Sequence, residues 1–389
     1  MPLGMGEGEV RLPEVFMQGK VAVLKTRPET VLDDYREVMR LAGYREALSP
    51  GLDTVVKLNL SWTKYFPACS SQPWQLEGVL RTLIEDGFEA ARLFPVENKT
   101  VVTNPVRGAR DNRWMPVLEK YGLPFIPLPE VEWVKYPFKS EFLMVDKIFP
   151  DGIEIPKMFI GRQIIHLPTV KTHGHTTTTG AIKNSFGGLL KEVRHYAHKN
   201  IHEVMVDLVL MQRELHPGVF AVMDGTVCGD GAGPRTMDPK IQNYLLASAD
   251  SVAVDAVAAR MMGFDPMSIP YIRMCHERGL GVGDPRQIEV VGADIAGVNF
   301  HFRTKRSLVI FGDQLIRKGF LRPFERLLLH SPLVVWAPFA SNLYHDYLWY
   351  PIVGKPIIRR FMKTEWGELF QRYGRIGAKR SRAEAIPAD

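Results

Sequence analysis

Residues 164–202 read IIHLPTVKTHGHTTTTGAIKNSFGGLLKEVRHYAHKNIH. An apolar run, IIHLPTV, empties into a loop of threonines, glycines, lysines and histidines, the pattern of a buried strand followed by a polar loop. In an open α/β sheet, a loop leaving the carboxyl end of a strand is where ligands bind. Six of the 11 histidines fall here (His166, His173, His175, His195, His198 and His202), with Lys171, Lys183, Lys191 and Arg194 among them. The plainer alternative is a solvated loop followed by a helix with surface histidines. Neutral imidazole is the usual metal ligand and proton carrier, which tips the balance toward function.

On both sides of this stretch, short apolar runs alternate with helical periodicity. KVAVLKT, DTVVKLNL, AARLFPVE and PFIPLPEV read as strands, separated by helices at ETVLDDYREVMRLAGY, PWQLEGVLRTLIEDGF and NRWMPVLEKYGL. Beyond the loop, HEVMVDLVLMQREL reads as a helix, VFAVMDG and YLLASAD as strands, and SVAVDAVAARMMG as a helix. That last helix has Asp250 or Ser251 as N-cap and Gly263 as its stop. IPYIRMCHERGLG adds a helix and RQIEVVGADI a closing strand. The expected fold class is α/β: a mostly parallel open sheet flanked by helices, with an irregular helical C-terminal extension. The expected divisions are an α/β body at 1–305, an apolar/aromatic then basic extension at 306–375, and a disordered tail at 376–389.

The chain has 389 residues, of which 46% are apolar and 24% charged, ordinary values for a globular protein. Cys69, Cys228 and Cys275 lie far apart, so no CxxC pair exists and an iron–sulfur motif of the ferredoxin type is excluded on this chain. So few cysteines fit a reducing compartment. The first residues carry no basic region followed by an apolar core, and a cytoplasmic protein is expected. The net charge of +6 is uneven. Residues 301–389 hold 16 Lys/Arg against 7 Asp/Glu, while the other 300 hold 33 against 36. An acidic body without a basic–aromatic motif argues against a nucleic-acid partner.

Residues 327–345, LLLHSPLVVWAPFASNLYH, contain no Lys, Arg, Asp or Glu. Pro332 and Pro338 break a spanning helix, but Trp336, Trp349, Tyr344, Tyr347 and Tyr350 beside Arg359, Arg360 and Lys363 suit a membrane interface. Such an anchor would make the protein peripheral at an anionic membrane surface. Packing on the body, or a dimer contact, is the equal alternative.

Several polar residues end expected strands: Lys57 and Asn59, Glu97, Lys171 with Thr172, and Asp224. In a parallel sheet these ends share one edge and would build one cleft. GAIKNSFGG at 180–188 opens at Gly180 and carries Lys183 and Asn184. Glycine allows close backbone approach and a helix N-terminus favours anions, so an anion is expected near Gly180–Lys183. Neither a Walker loop nor a GxGxxG fingerprint is present, and GDGAGP at 229–234 reads as a turn placing Asp224 and Asp230. His195, His198 and His202 are spaced i, i+3, i+7. They could join His173 or His175 around a divalent metal, or form a mixed surface stripe. Asp255 lies mid-helix, either exposed or pointed into the cleft.

The ordered set VKLNL, KTHGHTTTTGAIKNSFGG, a histidine-bearing helix, MDG…GAGP and ASADSVAVDAVAARMMG resembles the domain of unknown function 362 family, over about residues 50–295. Many members of that family carry a fused ferredoxin module, which is absent here. The resemblance implies a shared site at Lys57, Asn59, Lys171, His173, Lys183, Asn184 and Asp224. The family's fusions also imply a redox variant of the reaction with a separate ferredoxin-like protein. The expected function is an enzyme acting on a small anionic metabolite. Lys57, Lys171 and Lys183 would hold oxygens, Asn59, Glu97, Thr172, Gly180 and Asn184 would line the substrate, and His173 would be the general acid/base with Lys171, Lys183 and Asp224 beside it. The alternative is a membrane-peripheral ligand-binding or accessory protein without catalysis.

Overall fold

The computed structural model describes residues 19–100, 102–191, 197–304 and 341–383, with side chains as far as residue 375. Strand β1 (Lys20–Lys25) leads through α1 (Val31–Leu41) and the single turn α2 (Tyr44–Ala47) to β2 (Thr54–Lys57). From there α3 (Pro73–Glu85) returns the chain to β3 (Leu93–Glu97), and α4 (Pro105–Asp111) and α5 (Trp114–Lys120) precede the short β4 (Ile126–Pro127). A small antiparallel ribbon, β5 (Trp133–Lys135) with β6 (Glu154–Pro156), encloses the single turn α6 (Val145–Ile148). The central stretch follows as β7 (Gln163–His166), β8 (Thr169–His173), β9 (Thr177–Thr178), α7 (Ala181–Leu189) and α8 (Ile201–Leu215). β10 (Val219–Ala232) and β11 (Thr236–Ser248), then α9 (Ser251–Met262), α10 (Pro270–Glu277) and β12 (Glu289–Gly292), complete the body.

The sheet runs β12-β1-β11-β10-β7-β2-β3-β4, with β8 and β9 branching from β10. Pairing is parallel from β10 through β7, β2 and β3 to β4, and again between β12 and β1. Antiparallel β11 joins the two parallel parts. The fold is therefore α/β and mostly parallel, with helices on both faces. Pleat parity decides the faces: Val55 packs with Ala221 and Met223 under α7, α8, α9 and α10, while Val56, Phe220 and Val222 pack under α1, α3 and α5. Asp250 caps α9 by accepting from the Val252 and Ala253 amides, and Gly263 closes it at φ 100°, a left-handed position that favours glycine.

One expectation about the turns changes. GDGAGP is not a free turn: β10 continues through Ala232, and the long hairpin with β11 turns at Gly233–Pro234–Arg235. Where it is described, from residue 341 on, the extension packs on the body, one of the alternatives held open for it. A π-helical segment α11 (Leu343–Gly354), α12 (Lys355–Phe361) and α13 (Glu365–Ala383) follow one another. Phe361, Trp366, Phe370 and Tyr373 are buried in the core beneath α3 and α5. Trp366 lies 5.0 Å from the Trp74 ring and donates to Asn243 Oδ1 at 2.7 Å. α13 also enters the segment expected to be disordered, and 384–389 lie outside the described residues.

Candidate functional site

Parallel pairing in register sets Lys57 of β2 beside Val96 of β3 and His166 of β7, so the carboxyl ends of these strands reach one edge together. Lys57 Nζ donates to both Glu97 carboxylate oxygens, at 2.8 and 2.9 Å, and to Leu58 O at 2.6 Å. The pair is sealed, with Lys57 1% and Glu97 3% exposed. Asn184 of α7 donates to Lys57 O at 3.0 Å and accepts from Asn59 Nδ2 at 3.2 Å. Asn59 Oδ1 in turn accepts from Lys171 Nζ, which also donates to Ser61 Oγ at 3.0 Å and Cys69 O at 2.6 Å. One network thus joins Lys57, Glu97, Asn59, Lys171 and Asn184. Asn59, Ser61, Lys183 and Gly187 are its partly exposed members and neighbours. α7 passes close above it: a Cβ on Gly187 would stand 3.6 Å from Lys57 Nζ and 3.7 Å from Glu97 Oε1.

The electrostatics are unequal. Glu97 compensates Lys57, whereas the three acceptors around Lys171 are neutral. Burial pushes Lys171 down to about 8. His166 stays neutral because burial lowers it to about 3, and its Nε2 shares a hydrogen bond with Gln212 Oε1 at 2.6 Å.

His173 differs from expectation. Burial first, then the charge of Lys183 and the neighbouring His175, hold it well below 6.5. Its Nδ1 accepts from the His175 amide at 3.1 Å, which leaves the proton on Nε2. A ring held neutral near neutral pH can donate a hydrogen bond from Nε2. The His173 and His175 rings lie 5.8 Å apart, His175 and His198 5.4 Å, and His198 rests 6.0 Å from Phe186. His202 leaves this row to stack on Tyr271 at 6.1 Å. Among the described residues no three His, Cys, Asp or Glu side chains are arranged to hold a metal, and His195 lies outside them.

The anion expected at the start of α7 meets an occupant. Asp255, on the facing α9, accepts from the Ala181 amide at 2.6 Å, the Ile182 amide at 3.3 Å and Tyr271 OH at 3.3 Å. Its carboxylate takes the place of a ligand at that helix N-terminus. Gly180 makes the approach possible, since a Cβ there would stand 2.2 Å from Asp255 Oδ1. Asp255 is therefore neither exposed nor in the cleft.

Asp224 is not at the cleft either. It shares the parity of Phe220 and Val222, so it points through the other face. There it accepts from Tyr35 OH at 2.6 Å, Trp74 Nε1 at 3.0 Å and Thr226 Oγ1 at 2.7 Å. Thr172 Oγ1 donates to Gly231 O at 2.9 Å and so ties β8 to the hairpin. Ser61, Cys69, His166 and Gln212 join the site without having been singled out. Ser61, Cys69 and Gln212 lie outside every motif, His166 lies within the opening stretch, and the fold brings all four to Lys171 or Asn184.

Residues 54–260 match the family described as "Domain of unknown function (DUF362)". The chain is also 24% identical over 246 residues to the thylakoid-associated protein sll1697 of Synechocystis sp., covering 62% of this chain and 72% of that relative. No solved structure matches the chain. The family match spans more than half of the chain and contains Lys57, Asn59, Glu97, Lys171, His173, Lys183 and Asn184; this protein belongs to the DUF362 family.

Proposed function

We propose that the protein is an enzyme that takes a small anionic metabolite at the carboxyl edge of its sheet. The observation that carries this reading is Lys171, a buried ammonium with three neutral acceptors and, among the described residues, no carboxylate at ion-pair distance. Buried charge is normally paired, and an anion is the partner such a site favours. Lys183 is half-buried, acts electrostatically on His173 and stands 5.6 Å from the Phe186 ring, which adds positive charge on the open side. Asn59 and Asn184 would orient the ligand, the neutral His173 would donate a hydrogen bond, and Lys171 would move a proton. Titration calorimetry with inorganic phosphate and with citrate tests the reading. Lys183→Ala is expected to weaken binding about tenfold while the melting temperature stays within a degree or two, because a partly solvated charge contributes little to folding. Equal binding by wild type and variant would count against the cleft.

A second reading concerns location and agrees with the first. Of eight large apolar side chains that stand exposed among the described residues, five lie on α11: Leu343, Tyr347, Leu348, Ile352 and Val353. Exposed Lys355, Arg359, Arg360 and Lys363 follow directly. Trp62 and Phe66 hold the other side of α11 through Trp349 and Tyr350. No helix among the described residues is long and apolar enough to cross a membrane. An apolar strip bordered by cations fits the surface of an anionic bilayer, each cation adding on the order of 1 kcal/mol. The relative's thylakoid association supports the same location. The intact protein is expected to sediment with phosphatidylglycerol-containing vesicles. Tyr347→Ser/Ile352→Ser should reduce that severalfold without loss of folding. A wild type that ignores vesicles, or a double variant that sediments equally, removes this reading.

A further inference from the structure

Arg235, at the turn of the β10–β11 hairpin, is absent from every motif above. Its Nη2 donates to Ser341 Oγ at 2.8 Å, while its Nη1 is sealed from solvent without a hydrogen-bond partner. Among the described residues no carboxylate lies within ion-pair distance of the guanidinium. The neighbours that face it are neutral. Burial raises the Cys69 thiol to about 11 and lowers His345 to about 3. Asp346, the acid whose charge acts on Arg235, is engaged by Trp62 Nε1 at 2.6 Å and by Lys64 at 3.8 Å. A guanidinium keeps its charge, and a buried donor left unmade costs about 1–3 kcal/mol, more when charged. A bound water, ion or ligand group is what completes such a donor.

The position relative to Lys171 gives the group a use. Cys69 stands between them: its carbonyl accepts from Lys171 Nζ, and its thiol donates to Pro234 O at 3.0 Å. Arg235 and Lys171 therefore flank one residue. We infer that Arg235 Nη1 and its neighbour Ser341 form an oxyanion subsite that anchors a carboxylate or phosphate group of the ligand whose remainder lies at Lys171. This deepens, and rests on, the anionic-ligand reading. A planar fork suits two-point contact with either oxyanion, whereas a lysine would offer only a point charge.

Titration of the intact protein with inorganic phosphate, and separately with succinate, separates the two oxyanions. Arg235→Met keeps the apolar stem and is expected to weaken the preferred anion roughly 10- to 100-fold. Arg235 is partly exposed, with its Nη1 sealed, so its removal should leave the ligand-free melting temperature nearly unchanged. Arg235→Lys should recover only part of the affinity, and it stands in if the methionine variant does not fold. Full affinity for both anions in a folded Arg235→Met or Arg235→Lys protein would overturn the subsite. So would a marked loss of ligand-free stability with affinity per folded molecule intact, which would make Arg235 a structural tie to Ser341. If Lys183→Ala weakens binding and the Arg235 variants do not, this subsite alone fails. If none of them alters binding, the anionic-ligand reading fails with it.

Discussion

Glu97→Ala is expected to destabilise the protein by about 3–5 kcal/mol, because it leaves the Lys57 ammonium buried without its counter-charge. Lys57 Nζ would keep Leu58 O but lose two charged acceptors. The Asn98 amide, which donates to Glu97 Oε1 at 2.7 Å, would lose its acceptor as well. Lys57→Met/Glu97→Leu removes both charges and fills similar volume, so most of the loss should return. Urea unfolding of the two proteins measures both effects. A double variant as unstable as the single would show that the pair contributes more than mutual neutralisation, for instance by holding α7 over the network through Gly187 and Gly188.

The pH dependence of stability is expected to change most at Asp255. Burial raises this carboxyl from 3.8 to about 7, against the hydrogen bonds from Ala181, Ile182 and Tyr271. A raised carboxyl pKa means that the folded state holds a proton the unfolded state has released between about pH 4 and pH 7. That contribution is therefore complete below about 4 and is lost as pH rises through about 7, with a size on the order of 4 kcal/mol. Asp255→Asn imitates the protonated form at every pH. Asp250, Asp224 and Asp207 are also raised by burial, so the informative quantity is the difference between wild type and variant. That difference should tilt against the wild type as pH rises from 5 to 8. Parallel profiles would mean that the Asp255 carboxylate is ionised throughout, as a helix N-terminus would favour.

Strand positions were legible because apolar runs of four to eight residues between helical periods have few other readings. The edge holding Lys57, Asn59, Glu97 and Lys171 followed from the rule for carboxyl ends. Which face each strand-end side chain would take was not legible, since the period of two fixes parity only relative to its neighbours. Asp224 was misplaced for that reason. Asp255 was misread because the partner of a mid-helix carboxylate, here the amides of Ala181 and Ile182, is set by tertiary packing. The C-terminal core contact has a signal in the sequence: Trp366, Phe370 and Tyr373 recur at i, i+4, i+7, the stripe of a packed helix. Arg235 had none, because a lone arginine beside a glycine–proline turn becomes conspicuous only once its surroundings prove neutral.

The location of the anion site is the central claim, and histidine ring resonances test it most directly. In the protein labelled at histidine, titration with the tighter-binding of phosphate and citrate should shift or broaden the signals of His173, His175 and His198. His276 and His301, which belong to other parts of the fold, should stay in place. Lys183→Ala should move the half-saturation point of these shifts to about tenfold higher anion concentration. Saturable shifts confined to His276 or His301, with His173, His175 and His198 unmoved, would place the anion elsewhere and contradict the account.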